Sequence, residues 1–310
     1  MRVCQFRHTR TRETVCYHLS ALNANANQIK QRGHMSESSS RHMHKQINII
    51  DAHSHVYPDN LAERATNSVG EFYGVTMAGN GSVAGYQEQQ QVSSITRSII
   101  MSVALKADYV PTINNFIAAA AAENPSLIGF ATMHHDFPNI EDEVERALSL
   151  GLMGFKIHPD SQQVNADDPR MMRLYAAIEG RVPITIHSGD YRYDYSHPRR
   201  IREILHTFPN LTVNAAHFGG WSVYDLAVEY LEHERCFMDL SSAQVFLGPR
   251  RTRELIEIYG ANRILFGSDF PMANPADELE RLEAAMLDEK SRELILSKNA
   301  EAFVGFDLCG

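Results

Sequence analysis

The chain has 310 residues, of which 44% are hydrophobic, so it can bury a core large enough for one large barrel or two ordinary domains. Its 29 basic residues against 38 acidic ones give a formal charge of -9. This balance excludes the basic surface expected of a general nucleic-acid or anionic-membrane binder, and it favours a small-molecule partner.

The first 46 residues or so differ in composition from the rest of the chain. They open with the basic residues Arg7, Arg10 and Arg12 and end in a polar stretch at 36–41. We interpret residues 1–46 as a disordered leader, a tag remnant or an upstream extension, and residues 47–310 as the folded domain.

Short apolar runs then alternate with helical patterns in chain order. The predicted strands are residues 47–51, 98–103, 127–131, 154–157, 184–186, 211–215, 237–240 and 264–266. The predicted helices are residues 109–123, 140–150, 170–179, 198–207, 222–233, 250–259, 276–287 and about 291–303. A longer excursion with several glycines separates the first two strands and is interpreted as an active-site loop or a merely flexible one. Eight such units predict an α/β protein with a single (β/α)8 TIM barrel.

Histidines and one aspartate follow the predicted strands at the same end. His53 and His55 follow the first strand, His187 the fifth, His217 the sixth and Asp269 the eighth. Barrel enzymes place their sites at the carboxyl ends of the strands. Residues two apart in an extended segment point the same way, so His53 and His55 can bind one ion, and His187 and Asp269 can complete the set. The set predicts one zinc ion, or manganese in its place, with an open position for water.

Each of these residues also has a purely structural interpretation. An isolated His-x-His pair can be polar or capping, His187 can bond loop backbone, and Asp269 can be a turn or helix-cap residue. The metal interpretation is favoured because all of them fall at the same end of their strands.

Five motifs occur in order along residues 47–306. They read IDAHSH from Ile50, GFKIHP from Gly154, IHSG from Ile186, AHFGG from Ala216 and LFGSDFP from Leu265. Together they resemble the amidohydrolase superfamily, and within it the amidohydrolase-2 group that includes aminocarboxymuconate-semialdehyde decarboxylase-like proteins. The resemblance implies that His53, His55, His187 and Asp269 bind one zinc ion with His217 beside it as a catalytic group. It also implies a possible homodimer.

These residues permit hydrolysis whatever the family. A divalent cation lowers the pKa of its bound water to about 7. Asp269 can take a proton as the water attacks, acting as general base, and His217 can donate to the oxygen that gains charge. The first functional hypothesis is therefore a metal-dependent hydrolase of a small-molecule amide, ester or lactone.

Other side chains near the strand ends are candidates for substrate binding. Lys156 and His158 share one face after the fourth strand, where Lys156 either orients substrate or, if carboxylated, bridges a second metal. Arg192, in a tyrosine-rich loop, can hold a substrate carboxylate or belong to an ordinary surface loop. Trp221 lines the pocket or packs on the helix behind it, and Tyr57 is a further wall candidate.

Two other functions stay open at this point. The first is a metal-dependent nonoxidative decarboxylase of a small carboxylic acid, with Arg192 facing the carboxylate and His217 as proton donor. The second is a non-catalytic binding barrel, which is disfavoured because a polar pocket destabilises a fold unless it has a use. The four cysteines Cys4, Cys16, Cys236 and Cys309 form no CxxC pair, and no apolar run reaches the roughly 20 residues of a membrane span. The sequence therefore predicts a soluble protein of the reducing cytoplasm.

Overall fold

The structure is a computed structural model that describes residues 48–305. The predicted leader, residues 1–46, lies outside the described residues. The strands are β1 Ile50–His55, β2 Arg97–Met101, β3 Leu127–Gly129, β4 Ala131–Thr132, β5 Phe155–Ile157, β6 Ile184–Ile186, β7 Val213–Ala215, β8 Phe237–Asp239 and β9 Ile264–Leu265. The helices are α1 Asp59–Tyr73, α2 Val83–Val92, α3 Val110–Glu123, α4 Ile140–Ser149, α5 Pro159–Gln162, α6 Pro169–Ile178, α7 Pro198–Thr207, α8 Tyr224–Leu231, α9 Gln244–Tyr259, α10 Pro275–Ala284, α11 Glu289–Glu293 and α12 Asn299–Val304. A π-helical turn, Leu294–Lys298, joins α11 to α12.

The strands are parallel and follow chain order around a ring. β1 to β3 pair in sequence, and so do β4 to β9. β3 and β4 are two parts of the predicted third strand, interrupted at Phe130, whose N–H donates to Ile100 O at 3.0 Å. The next residue, Ala131, donates to Gly154 O at 2.8 Å, so the same strand pairs with β2 first and β5 afterwards.

The last strand returns to the first and closes the ring. Ala52 N–H donates to Phe266 O at 2.9 Å, and Asp269 N–H donates to His53 O at 2.7 Å. Counting β3 and β4 as one strand, eight strands enclose the centre, and the predicted TIM barrel is confirmed.

Alternate strand residues divide the side chains into two layers. Ile184 and Ile186 on β6 join the main apolar cluster formed with the surrounding helices. Thr185, between them, accepts a hydrogen bond from Asn214 at 3.3 Å in the barrel interior. The polar interior positions of the later strands are Lys156, Thr185, Asn214 and Asp239. The early strands instead contribute to a second apolar cluster, which contains Ile99, Met101, Ile128 and Phe130 together with Phe303 of α12.

The first strand is longer than predicted and contains both histidines of the His-x-His pair. Its pairing with β2 shifts between Asp51 and Ser54, where β1 advances three residues while β2 advances two. This bulge turns successive polar residues to different sides. Asp51 accepts a hydrogen bond from Tyr86 of α2 at 2.8 Å, whereas His53 faces Lys156 in the interior.

The excursion after β1 contains two helices where the sequence predicted a loop. α1 buries Ala62, Thr66 and Gly70, which are spaced four apart but are small or polar. The apolar stripe that identifies an amphipathic helix is therefore missing from its sequence. α2 includes the polar run at 87–91 and buries Tyr86 and Gln90. Within residues 48–305, no helix has both the length and the apolar character needed to cross a membrane.

Glu278 on α10 is a buried acid whose titration affects stability. Its carboxylate accepts hydrogen bonds from Gln244 Nε2 at 2.8 Å and from Arg281 at 2.7 Å. Burial raises the pKa of Glu278 to about 7, although both partners oppose the shift. Because the folded-state pKa lies above the unfolded value, the group stabilises the protein below about pH 4.5, and this contribution is lost as pH rises through 7.

The Glu278→Gln variant is therefore expected to flatten the pH dependence of stability. A shift of this size corresponds to about 3 kcal/mol, or roughly 6 °C in Tm, between pH 4.5 and 8. Thermal unfolding followed by circular dichroism at both pH values measures the change. Glu280→Gln, at an exposed position of the same helix, is the control. If Tm fell equally between the two pH values in Glu278→Gln and in the unmodified protein, Glu278 would not be the group responsible for the pH dependence.

Candidate active site

Three donor atoms meet where β1 and β9 end. His53 Nε2 lies 3.2 Å from His55 Nε2, and Asp269 Oδ1 lies 3.6 Å and 3.5 Å from these two nitrogens. Ligand atoms around a tetrahedral ion with bonds of 2.0–2.1 Å are about 3.3 Å apart. We call His53, His55 and Asp269 the donor triad. Its spacing and its two nitrogens and one oxygen fit a divalent cation such as zinc or manganese.

The backbone holds Asp269 in the left-handed region, with φ of 59°. This conformation is unfavourable for a residue with a side chain and is kept by the hydrogen bond from its N–H to His53 O. Ser242 Oγ donates to Asp269 Oδ2 at 2.6 Å, which leaves Oδ1 facing the histidines. A Cβ atom at Gly267 would lie 2.9 Å from His53 Cβ, so only glycine allows β9 to continue this close to β1.

Asp239, at the end of β8, orients His53. Its Oδ2 lies 2.9 Å from His53 Nδ1, and Ser241 Oγ lies 3.0 Å from the same nitrogen. The buried carboxylate accepts a hydrogen bond from the Nδ1–H group of His53. The lone pair of His53 Nε2 then faces His55 and Asp269, as a metal ligand requires. Asp239 was not among the residues predicted from the sequence, although an aspartate inside the apolar run 237–240 was a usable signal.

Lys156 on β5 is fully buried beside the donor triad, with Nζ 2.9 Å from His53 Nε2. Burial lowers the pKa of Lys156 to about 8, while the charges of Asp269 and Asp239 oppose the shift. A metal ion bound to His53 Nε2 would compete with the ammonium group for the same lone pair and would displace this hydrogen bond.

A second row of imidazoles lies next to the donor triad. His217 Nε2 is 3.1 Å from His187 Nδ1, and the ring of His217 is centred 5.1 Å from that of His53. His187 stacks on His158, with ring centres 3.8 Å apart and planes 10° from parallel. Burial, with the neighbouring positive charges, lowers the pKa of His158 and of His187 well below the usual value, so both rings are neutral.

The predicted ligand set is brought together only in part. His53, His55 and Asp269 share one group, whereas His187 belongs with His158 and Asp160 in a second group of possible metal ligands. His187 Nε2 points toward Asp160 Oδ2 at 3.6 Å. Its place as the fourth ligand stays a prediction.

Aromatic residues form one wall beside these imidazoles. Tyr73, the last residue of α1, has its hydroxyl 2.7 Å from His158 Nε2, and its ring meets the edge of Trp221 at 5.1 Å between centres. Burial raises the pKa of Tyr73 well above its usual value, so the hydroxyl keeps its proton. Burial and the charge of Asp269 likewise raise the pKa of Tyr57. Sequence reasoning missed Tyr73 because it lies in the excursion interpreted as a loop.

Arg192 does not reach the imidazoles. Its guanidinium donates to both oxygens of Asp190, at 2.9 Å and 2.7 Å, and to Phe72 O at 2.6 Å. The same group stacks over the rings of Phe72 and Tyr73. These contacts use three of the five N–H donors of the guanidinium, and a substrate carboxylate held by Arg192 stays a prediction.

A family model described as amidohydrolase matches residues 50–306 of the chain. Among solved structures, a TIM-barrel protein from Bordetella bronchiseptica is 20% identical, with a TM-score of 0.66 over 83% of this chain and 98% of that one. A 5-carboxyvanillate decarboxylase from Sphingomonas paucimobilis is 14% identical, with a TM-score of 0.66 over 84% of this chain and 100% of that one.

A dihydroxybenzoic acid decarboxylase from Polaromonas sp. JS666, solved with manganese and 2-nitroresorcinol, is 16% identical. Its TM-score is 0.64 over 83% of this chain and 97% of that one. At these identities the three structures establish a common fold.

Proposed function

The chain belongs to the amidohydrolase family, and from this premise we propose that it is a divalent-metal-dependent, nonoxidative decarboxylase of small aromatic acids. The observation that carries the proposal is the donor triad beside a buried lysine, with an aromatic wall next to the neighbouring imidazoles. Two proteins of the same fold are named as decarboxylases of aromatic acids, which supports this chemistry over the hydrolysis first expected.

The residues around the donor triad suit an anionic, planar substrate. Lys156 is fully buried with Nζ 2.9 Å from His53 Nε2, and its ammonium form places a positive charge beside the donor triad. The rings of Tyr73 and Trp221 meet edge to face and offer apolar surface to an aromatic ring. An aromatic carboxylate therefore finds both an opposite charge and a hydrophobic wall.

We assign metal binding to the donor triad, with zinc and manganese as candidates and His187 as the proposed fourth ligand. When bound, the cation supplies Lewis acidity to oxygens of the substrate. Manganese accompanies one solved decarboxylase of this fold, which makes it the first metal to test.

Decarboxylation replaces a carboxylate with hydrogen. The bond between the ring and the carboxyl carbon breaks, its electron pair stays on the ring carbon, and that carbon takes one proton as carbon dioxide leaves. We assign delivery of this proton to Asp269, which takes it from a water molecule and passes it to the ring carbon, while Ser242 Oγ donates to its Oδ2. His217 Nδ1 donates to Ser241 O at 2.8 Å, so the proton of the neutral ring is on Nδ1, and we assign Nε2 as an acceptor for a hydroxyl group of the substrate.

The Asp269→Asn variant is expected to lower the rate of carbon dioxide release about 1,000-fold, because an amide cannot supply the proton. The assay uses manganese-loaded protein with 5-carboxyvanillate and with 2,6-dihydroxybenzoate, in which the carboxylate takes the place of the nitro group of 2-nitroresorcinol. Carbon dioxide is measured directly, and mass spectrometry in D2O is expected to find one deuterium at the vacated carbon. Asp277→Asn, at an exposed position on α10, is the control.

Hydrolysis would use the same donor triad but would leave a different product. When lactones, amides and esters are incubated with the protein in ¹⁸O-water, hydrolysis is detected as one labelled oxygen in the product. Turnover of that panel, with no carbon dioxide from either aromatic acid, would replace the proposal with the hydrolase hypothesis.

A further inference from the structure

We propose that a cavity next to Asp269 binds a neutral, apolar substituent on the ring of the substrate. The cavity has a volume of about 260 Å³, and its walls are mainly apolar, with Val75, Phe246 and Met272 among them. We call it the side cavity. The inference rests on the proposed function and narrows its substrate class to aromatic acids that carry an alkyl or similar group.

Two residues that line the side cavity contact Asp269 of the donor triad. Ser242 Oγ donates to Asp269 Oδ2 at 2.6 Å, and Met272 N–H donates to Asp269 O at 2.8 Å. Met272 Sδ in turn lies 3.1 Å from Ser242 Oγ. One side chain therefore separates the side cavity from the carboxylate to which we assign proton delivery.

The side cavity also borders the aromatic wall. The ring of Phe246 is centred 6.1 Å from that of Trp221, and the ring of Trp221 is centred 5.1 Å from that of Tyr73. Val75, two residues after Tyr73, lines the cavity as well. A substrate ring held between the donor triad and the aromatic wall therefore has the side cavity beside it.

The backbone keeps Phe246 at the side cavity and out of the core. Gly248 has φ of 67° and ψ of 168° inside α9, and Pro249 follows it, so the first turn is set apart from the rest of the helix. Val245 and Phe246 in this turn are 56% and 61% exposed. Exposed apolar side chains that lie together are typical of binding surfaces.

The volume of the side cavity indicates part of a ligand rather than a whole one. Sites for complete small molecules usually enclose about 300–1,000 Å³. The side cavity, at about 260 Å³, is smaller, and it adjoins the donor triad through Ser242. Its occupant is therefore expected to be a substituent of the molecule that binds at the metal.

The charges around the side cavity favour a neutral group. Asp277 and Glu278 line it, and Asp269 lies behind its wall. Arg281 also lines it but is already paired with Glu278 at 2.7 Å. Asn274 Oδ1, buried at the cavity, is a further acceptor. An acidic substituent would be repelled here, and any charged group would lose hydration against the apolar walls, whereas an alkyl group gains from burial.

The test uses 2,6-dihydroxybenzoate and its 3-propyl and 4-propyl derivatives, which together cover every open position of the ring. Isothermal titration calorimetry of manganese-loaded protein gives Kd for each acid. One of the two propyl acids is expected to bind about 10-fold more tightly than the parent acid, because its alkyl group leaves water. At the same ring position, an aminoethyl or a carboxymethyl group is expected to give no gain.

The Phe246→Ala variant connects this gain to the side cavity. The advantage of the propyl acid over the parent acid is expected to fall to less than about 3-fold, because the alkyl group loses much of its apolar contact. Ala273→Leu, which fills part of the cavity, is expected to reduce the same ratio. Val92→Ala removes a 74% exposed apolar side chain at the end of α2, and it is expected to keep the 10-fold ratio of about one order.

Equal Kd values for the parent acid and both propyl acids, or a gain that Phe246→Ala keeps, would overturn the inference. Tighter binding of the aminoethyl or carboxymethyl acid, or two molecules of the propyl acid bound per chain, would overturn it as well. Failure of every acid to bind would contradict the proposed substrate class together with the inference. Propyl-selective binding without carbon dioxide release would contradict only the proposed reaction, so the two failures are distinguishable.

Discussion

The His53→Ala variant is expected to be recovered with almost no divalent metal, whereas the unmodified protein is expected to hold about one ion per chain. His53 supplies one of three donor atoms and lies 3.2 Å from His55 Nε2 and 3.6 Å from Asp269 Oδ1. Its removal is expected to lower metal affinity by more than about 100-fold and to abolish turnover. Elemental mass spectrometry of protein purified without chelator measures the metal content.

Two further histidine variants control this measurement. His206→Ala removes a histidine that is 57% exposed and paired with Glu234, so it is expected to keep full metal content. His187→Ala removes the proposed fourth ligand, and it is expected to lower metal affinity less than His53→Ala because it leaves the donor triad intact. Full metal content in the His53→Ala protein would mean that the ion binds elsewhere.

The Asp239→Ala variant is expected to lose both stability and metal affinity. Asp239 is fully buried and accepts hydrogen bonds from Asn214 Nδ2 at 2.7 Å, from the N–H of His217 at 3.1 Å and from Ser241 Oγ. Burial alone would raise its pKa, but His53 and the other partners lower it well below the usual range, so it is ionised. Removing the carboxylate leaves these donors unpaired, which is expected to lower the free energy of unfolding by about 3–5 kcal/mol. Metal affinity is expected to fall about 10- to 100-fold.

Urea unfolding measures the free energy, and competition with a chelator measures the metal affinity. Asp239→Asn keeps the shape but not the charge, so it is expected to be less destabilised while still losing metal affinity. Asp225→Ala removes a 90% exposed aspartate and serves as the surface control. A stable Asp239→Ala protein with normal metal affinity would contradict the orienting role.

The strand pattern carried enough information to predict the barrel and the end at which the site lies. Ile184 to Ile186 and Val213 to Ala215 are short apolar runs placed between helical patterns, and both occur as strands. His53, His55 and Asp269 were predicted as ligands from their positions after strands, and they lie together because parallel strands end at one rim. The two helices after β1 were missed, since α1 buries Ala62, Thr66 and Gly70 rather than an apolar stripe.

The fold class and the places of His53, His55 and Asp269 at strand ends follow from the sequence, because hydrophobic periodicity and strand order are local properties that parallel pairing turns into a common rim. The partners of these residues, and the separation of His187 from them, follow from the tertiary structure. Asp239 orients His53 from 186 positions away, and Arg192 contacts Phe72 from 120 positions away. Contacts of this kind depend on ring closure and on side-chain direction, and no short pattern of residues encodes either of them.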